Sequence, residues 1–155
     1  QLVQEFNHYV VLADIFEHLM GRPISPEDTV QLEEEKKLGD VRRAYVEQED
    51  PLLNAAVGFT EGGGARLFRE GKELSGSTVN DLTAKAMQII FDDEHDHYME
   101  QAKEAISHIK SPEDLERMKD AIAKISEQRV WMRAEMFRDA MTKAEIESFI
   151  EENKR

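Results

Sequence analysis

Apolar residues recur along the whole chain at spacings of three and four, and no stretch alternates as a half-buried β-strand would. In the first segment, residues 2–20, the positions Leu12, Ile15 and Leu19 share one helical face. The same periodicity, punctuated by Gly and Pro, predicts five more helices. They cover approximately residues 26–48, 51–71, 78–109 and 112–140, with a short last helix after Thr142. The predicted fold class is therefore all-α.

Short polar signals mark the starts of several of these helices. Residues 25–28 and 111–114 have the same sequence, Ser-Pro-Glu-Asp, which offers a capping Ser followed by Pro at the first helical position. Thr142 and Glu145 have the spacing of a capping box. We therefore expect helices to begin just after Ser25, Ser111 and Thr142.

Composition narrows the class of protein. A chain of 155 residues is long enough for one domain, which we expect to span residues 1–155, with core helices in 1–109 and a helical extension in 110–155. The formal net charge of −13 argues against partners that attract basic surfaces, namely nucleic acid and anionic membranes. There is no cysteine, which excludes disulfides, thiolate metal sites and a cysteine nucleophile. With no apolar run of membrane-spanning length and no visible signal peptide, we expect a soluble, cytoplasmic protein.

One five-residue pattern, Glu-x-x-His-Tyr, occurs twice, at residues 5–9 and 94–98. Because both copies lie in helical sequence, Glu5 shares a face with His8, and Glu94 shares a face with His97. Each copy therefore presents one carboxylate and one imidazole together. Two such helices facing each other could hold a pair of metal ions.

Acidic residues also fall where the apolar stripes of three helices predict core. Glu5 and His8 extend the apolar face of the first helix. Glu94 and His97 interrupt the stripe of the helix over residues 78–109, and Glu61 interrupts that of the helix over residues 51–71. Buried carboxylates are costly unless they are paired, protonated or bound to metal. A shared metal site would resolve all of these positions together.

The ligand types indicate which metals to expect. Carboxylate oxygen with some imidazole and no sulfur suits iron or manganese better than a structural zinc site. Each metal-binding His also needs an outer partner for its second ring nitrogen, and Asp92, Asp93 and Asp96 are the nearby candidates. The plainer interpretation is that both Glu/His pairs are incidental surface pairs. The Tyr that ends both copies and the intervening Glu61 favour the metal interpretation.

The order Glu-x-x-His, lone Glu, Glu-x-x-His over roughly residues 1–105 resembles the ferritin-like di-iron carboxylate superfamily. Rubrerythrin, the ribonucleotide reductase small subunit and di-iron oxygenases are members of that superfamily. The resemblance implies a ferritin-like four-helix bundle with additional C-terminal helices. It also implies a metal site of two iron ions, or of iron with manganese. The implied ligands are Glu5, His8, Glu61, Glu94 and His97.

One carboxylate of the family pattern has no counterpart ahead of Glu5. By the pseudo-repeat of the family, it would lie on a first helix upstream of Gln1, so we expect this chain to lack that helix. The alternative is that the helix over residues 112–140 supplies Glu135 or Glu127 instead. A third alternative is a site that binds one metal ion or none.

The function that the resemblance implies is an oxidoreductase, of the oxidase or oxygenase type, that reacts with O₂ or peroxide. Because the chain has no cysteine, its electrons would come from an external donor. Two alternatives remain open: iron oxidation and storage or metal sequestration, in a homo-oligomer, and a non-catalytic helical interaction module. The glycines at residues 62–64 indicate either a local distortion or open space beside the metals, or else close helix packing or a helix break.

Overall fold

Helices account for all of the regular secondary structure in the part of the chain that the structure describes. The computed structural model describes residues 2–61, 64–138 and 140–153, without the side chains of residues 61 and 95–98. Seven α-helices and one 3-10 turn (Pro26–Asp28) lie in these ranges. The α-helices are α1 (Leu2–Met20), α2 (Glu33–Val46), α3 (Pro51–Glu61), α4 (Ala65–Gly71), α5 (Thr78–His108), α6 (Pro112–Phe137) and α7 (Lys143–Glu152). The predicted all-α class is confirmed.

The capping signals of α6 and α7 act as the sequence predicts. The Ser111 hydroxyl accepts the backbone N–H of Asp114 at the start of α6, at 3.1 Å. At the start of α7, Thr142 and Glu145 form a reciprocal capping box, in which each side chain accepts the backbone N–H of the other residue. These helices begin where predicted because the groups that satisfy their first N–H donors are local in sequence.

The helix predicted from residue 26 onward is interrupted. Ser25 starts only the 3-10 turn, and the backbone is extended at Thr29 (ψ 118°) and at Leu32 (ψ 140°). The α-helix α2 then begins at Glu33. Its first N–H groups are satisfied by the carboxylate of Glu135, which accepts from Glu33 at 3.1 Å and from Glu34 at 2.7 Å.

The helix predicted over residues 51–71 is divided into α3 and α4, and the glycines at 62 and 63 lie outside the described residues. Gly64 is buried at the N-cap of α4. A Cβ added to Gly64 would lie 2.7 Å from the ring of Phe68, one turn further on. At this glycine, close packing of an aromatic ring is the reason that a side chain is excluded.

The chain divides into two compact units. Residues 30–61 and 101–155 form one, which we name the core unit. In it, α6 packs against α2, α3 and α7. Most of its buried side chains form two apolar clusters, one of Leu52, Leu53, Ala55, Ala56, Ala105, Met118 and Ala121, the other of Leu38, Val57, Ile125 and Met132.

Residues 1–29 and 62–100 form the other unit, which we name the motif unit because it contains both Glu-x-x-His-Tyr segments. Among its described side chains, few are buried: His8 on α1, and Ala86 and Ile90 on α5. On α1, the predicted core positions Leu12 and Leu19 remain 44% and 59% exposed. Across both units, the described helices include none that is long and apolar enough to cross a membrane.

Candidate metal centre

The first Glu-x-x-His motif meets the second motif's glutamate within the motif unit. Glu5 and His8 project from the same face of α1, and Glu94 projects from α5. One potential ligand atom from each of these three residues lies within 4.8 Å of the others. Among the side chains that the structure describes, this is the one cluster of three acidic or histidine residues with such spacing. Its donor atoms are two carboxylate oxygens and one imidazole nitrogen, which suits iron or manganese.

His8 is the most buried residue of this cluster. It is 8% exposed, whereas the neighbouring Glu5 side chain is 59% exposed and Glu94 is half-buried. A buried imidazole is costly unless its ring nitrogens find partners. The arrangement therefore fixes the imidazole inside the unit and leaves one carboxylate open to solvent, through which a cation could enter.

The two nitrogens of His8 face different acids. Its Nε2 lies 3.1 Å from Oδ2 of Asp93, and its Nδ1 lies 3.8 Å from Oε2 of Glu5. With the proton on Nε2, the ring donates to Asp93 and directs the lone pair of Nδ1 toward Glu5. This is the arrangement in which an outer carboxylate orients a metal-binding imidazole.

Sequence reasoning narrowed the outer partner to three aspartates, and the structure identifies Asp93. The neighbouring Asp92 is engaged elsewhere, since its Oδ1 accepts from Nε2 of Gln88 at 2.7 Å. The side chain of Asp96 lies outside the described residues. Because Asp93 directly precedes the ligand candidate Glu94, their adjacency is the only sequence signal that points to this role.

Electrostatics also favour a cation at this cluster. The carboxylates of Glu5, Asp93 and Glu94 all lie around the single imidazole of His8. Carboxylates that lie close together repel one another, and a bound cation relieves this repulsion. The donor set thus fits a hard, oxygen-preferring metal ion.

This geometry does not place the other two predicted ligands, and metal binding by any of the five residues stays a prediction. Glu61 ends α3 and His97 lies within α5, but both of their side chains fall outside what the structure describes. They stay predictions. Of the two alternatives for a further acid, Glu135 has a role that sequence reasoning missed: both of its oxygens accept backbone N–H groups at the start of α2.

Comparison of the chain with models of protein families, with curated proteins and with solved structures gives no match. A function for this chain is therefore inferred from the residues of the site and from their geometry.

Proposed function

We propose that this protein binds iron, or iron with manganese, in a ferritin-like di-metal carboxylate centre and reacts with O₂ or peroxide. The observation that carries the proposal is the meeting of Glu5, His8 and Glu94 within 4.8 Å in the motif unit. The order of the motifs along the chain supports the extension of this cluster to Glu61 and His97. The reaction class rests on the resemblance of that order to di-iron carboxylate proteins.

The protein's own residues have distinct roles in this proposal. Glu5 and Glu94 supply anionic oxygen, which neutralises the cation, and His8 supplies a neutral nitrogen. Asp93 accepts a hydrogen bond from the Nε2–H group of His8 and so keeps the imidazole in one tautomer and one orientation. Bound iron or manganese would supply the redox chemistry, with electrons from an external donor, because the chain has no cysteine.

Metal binding to the full chain tests the first part of the proposal. Purified protein is titrated with Mn²⁺ under calorimetry, and bound iron and manganese are measured by elemental analysis. We expect His8→Ala to abolish tight binding and Asp93→Asn to weaken it by about 10–100-fold, since outer partners orient the ligand. The matched control is His18→Ala, which removes an exposed imidazole from the same helix. A chain that takes up neither metal, or a His8→Ala variant that binds like wild type, contradicts the proposal.

Stoichiometry tests the second part. A di-metal centre holds two ions per chain, and Glu61→Gln or His97→Ala then lowers the stoichiometry or the affinity of one ion. One ion per chain that is insensitive to both substitutions would restrict the site to Glu5, His8 and Glu94. O₂ consumption by the Fe²⁺-loaded protein, compared with His8→Ala, tests the proposed reaction.

A second function is favoured by a different observation. Several large apolar side chains of α1 are exposed, including Leu2 at 85% and Phe6 at 64%. Exposed apolar surface of this kind is typical of a helical interaction module. Such a module without a metal is expected to show no Mn²⁺ binding, so the calorimetric titration separates the two functions.

A further inference from the structure

α1 carries a second apolar stripe that the metal site does not use. Its members recur at alternating spacings of four and three residues, the spacing of a coiled-coil seam. They are Leu2, Phe6, Tyr9, Ala13, Phe16 and Met20, and we name them the α1 seam. At 3.6 residues per turn, the centre of this seam lies about 100° around the helix from the stripe that holds Glu5 and His8.

Four of the six residues of the α1 seam are exposed, whereas Ala13 and Phe16 are half-buried and the guanidinium of Arg22 lies 5.4 Å from the centroid of the Phe16 ring. Leu2, Phe6, Tyr9 and Met20 are 85%, 64%, 54% and 56% exposed. The rings of Phe6 and Tyr9 lie beside each other, with centroids 6.3 Å apart. A heptad-spaced row of large apolar side chains is a surface that another helix covers by inserting its own side chains.

We propose that the α1 seam binds the α1 seam of a second copy of this chain, antiparallel, about a two-fold axis near residue 11. In this register, Leu2 lies opposite the partner's Met20, Phe6 opposite the partner's Phe16, and Tyr9 opposite the partner's Ala13. The smallest side chain of the seam therefore faces one of its largest, on both sides of the axis. Self-complementarity of this kind is what a two-fold interface requires.

The parallel alternative fits less well. It would place Tyr9 against the partner's Tyr9 and Ala13 against the partner's Ala13, so that one layer is crowded and another is empty. Overpacked layers and cavities both destabilise an interface. Antiparallel helices also place the positive end of each helix dipole beside the negative end of the other.

Charge is compatible with the antiparallel register despite the net charge of −13. Within residues 2–20 there are three acids and no Lys or Arg. The flanks of the seam would pair Val10 with the partner's Val10 and Leu12 with the partner's Leu12. The two acids on the flanks, Glu5 and Glu17, would face the partner's Leu19 and the partner's Val3, so no acid faces another acid.

The exposed area is that of a weak interface. The exposed members of the α1 seam are Leu2, Phe6, Tyr9 and Met20. At roughly 100 Å² each, they offer on the order of 400 Å² per chain, which lies at the low end of protein interfaces. Of the metal-site residues on α1, His8 lies on the other stripe and Glu5 lies on the flank of the seam.

Sedimentation equilibrium of the full chain, with and without a chelator, tests the dimer. We expect a dimer at micromolar concentration in both conditions. Phe6→Lys buries a charge in the seam and is expected to raise the dissociation constant at least 100-fold. Asn7→Lys adds the same charge at the next position, on an exposed face outside the seam, and is the matched control. Circular dichroism checks that both variants stay helical.

The register is tested by exchanging the large and small residues. Tyr9→Ala leaves two Ala residues facing each other, and Ala13→Tyr leaves two Tyr residues facing each other, so each single variant should weaken the dimer about tenfold or more. The double variant Tyr9→Ala/Ala13→Tyr restores a large residue opposite a small one and should recover most of the affinity. A double variant as weak as the sum of the two single variants overturns the antiparallel register.

Cross-linking gives an independent readout, because the natural chain has no cysteine. Val10→Cys places its thiol next to the two-fold axis and should form a disulfide-linked dimer under mild oxidation. Asn7→Cys should not. A chain that stays monomeric at 100 µM, or a dimer that Phe6→Lys leaves intact, overturns the proposal and assigns the α1 seam to a different helix.

Discussion

The core unit and the motif unit are both built from helices, but they bury different kinds of side chain. The core unit excludes water almost completely from side chains such as Ala56 and Ile125, which are 0% exposed. The motif unit buries the imidazole of His8 instead and leaves most apolar side chains of α1 open. Stability and chemistry make different demands on burial, and here they fall in different parts of the chain.

Particular acids of the two units also contrast, although the motif unit pairs Asp28 with Arg22. In the core unit, Asp50 is paired with Arg117, and Glu135 is held by two backbone N–H groups. In the motif unit, Glu5, Asp93 and Glu94 gather around one imidazole. Asp50 and Glu135 each have partners within the fold. The three acids around His8 share one imidazole, so a cation could bind among them.

The largest expected effect comes from the interior of the core unit. Ile125→Ala removes a fully buried side chain from the cluster with Leu38, Val57 and Met132. We expect it to lower the free energy of unfolding by about 2–5 kcal/mol, because lost burial and a new cavity both destabilise. Urea unfolding followed by circular dichroism measures the change. Ile106→Ala, at a position 68% exposed in the same unit, is the control and should change little. Equal effects of the two substitutions would remove the contrast between core and surface.

The motif unit should gain stability from its ligand. If Mn²⁺ binds only the folded site, a concentration 100 times the dissociation constant stabilises the protein by about 2.7 kcal/mol. Thermal unfolding with and without Mn²⁺ measures this gain. We expect it to disappear in His8→Ala and to persist in His18→Ala. A gain that survives His8→Ala would place the bound ion elsewhere.

A smaller effect is expected at the start of α2. Glu135→Ala leaves the N–H groups of Glu33 and Glu34 without their acceptor and should cost about 1 kcal/mol, as the loss of a helix cap does. Glu135→Gln keeps one carbonyl oxygen and should cost less. Hydrogen exchange at these two amides should accelerate in Glu135→Ala, and unchanged exchange would show that another group satisfies them.

The smallest expected effect is on the stability of the protein at acidic pH. Hydrogen bonding to Arg117 lowers the pKa of Asp50, and the backbone N–H of Lys110 and the Ser111 hydroxyl lower the pKa of Asp114. Because these pKa values are lower in the folded state than the ordinary value of 3.8, their stabilisation is present above that value. It is lost as the pH falls from 3.8 through the folded-state pKa values. Melting temperatures between pH 6 and pH 2 should fall less steeply for Arg117→Met than for wild type, and parallel curves would assign the acid sensitivity to other groups.

The sequence predicts most helix boundaries because their causes are local. Ser111 and Thr142 cap helices within three residues of their own positions. The break before α2 was missed because Glu135, which satisfies its first N–H groups, lies 102 positions from Glu33. Leu12 and Leu19 show a second limit. Periodicity states which residues share a face of a helix, but not whether anything covers that face.

In the candidate site, too, local pairings were predicted from the sequence and a long-range contact was not. A spacing of three on a helix is sufficient to pair the carboxylate of Glu5 with the imidazole of His8. Glu94 was predicted to join them because the motif is repeated and interrupts an apolar stripe. The sequence could not show that Asp93, rather than Asp92, is the outer partner of His8. That role depends on how α1 and α5 face each other within the motif unit, where Oδ2 of Asp93 lies 3.1 Å from Nε2 of His8.

The contact between His8 and Asp93 spans 85 positions of the chain, and this separation sets the order of events in time. At about 5–20 residues per second, a ribosome adds His8 roughly 4–17 s before Asp93. Single helices form in about a microsecond, whereas closing a loop of this length has an entropic cost of about 4 kcal/mol. The nascent chain therefore contains the residues of its first helix long before it contains a complete metal-ligand cluster. The capacity to hold a cation is acquired late, once Asp93 and Glu94 have joined an imidazole that was already in place.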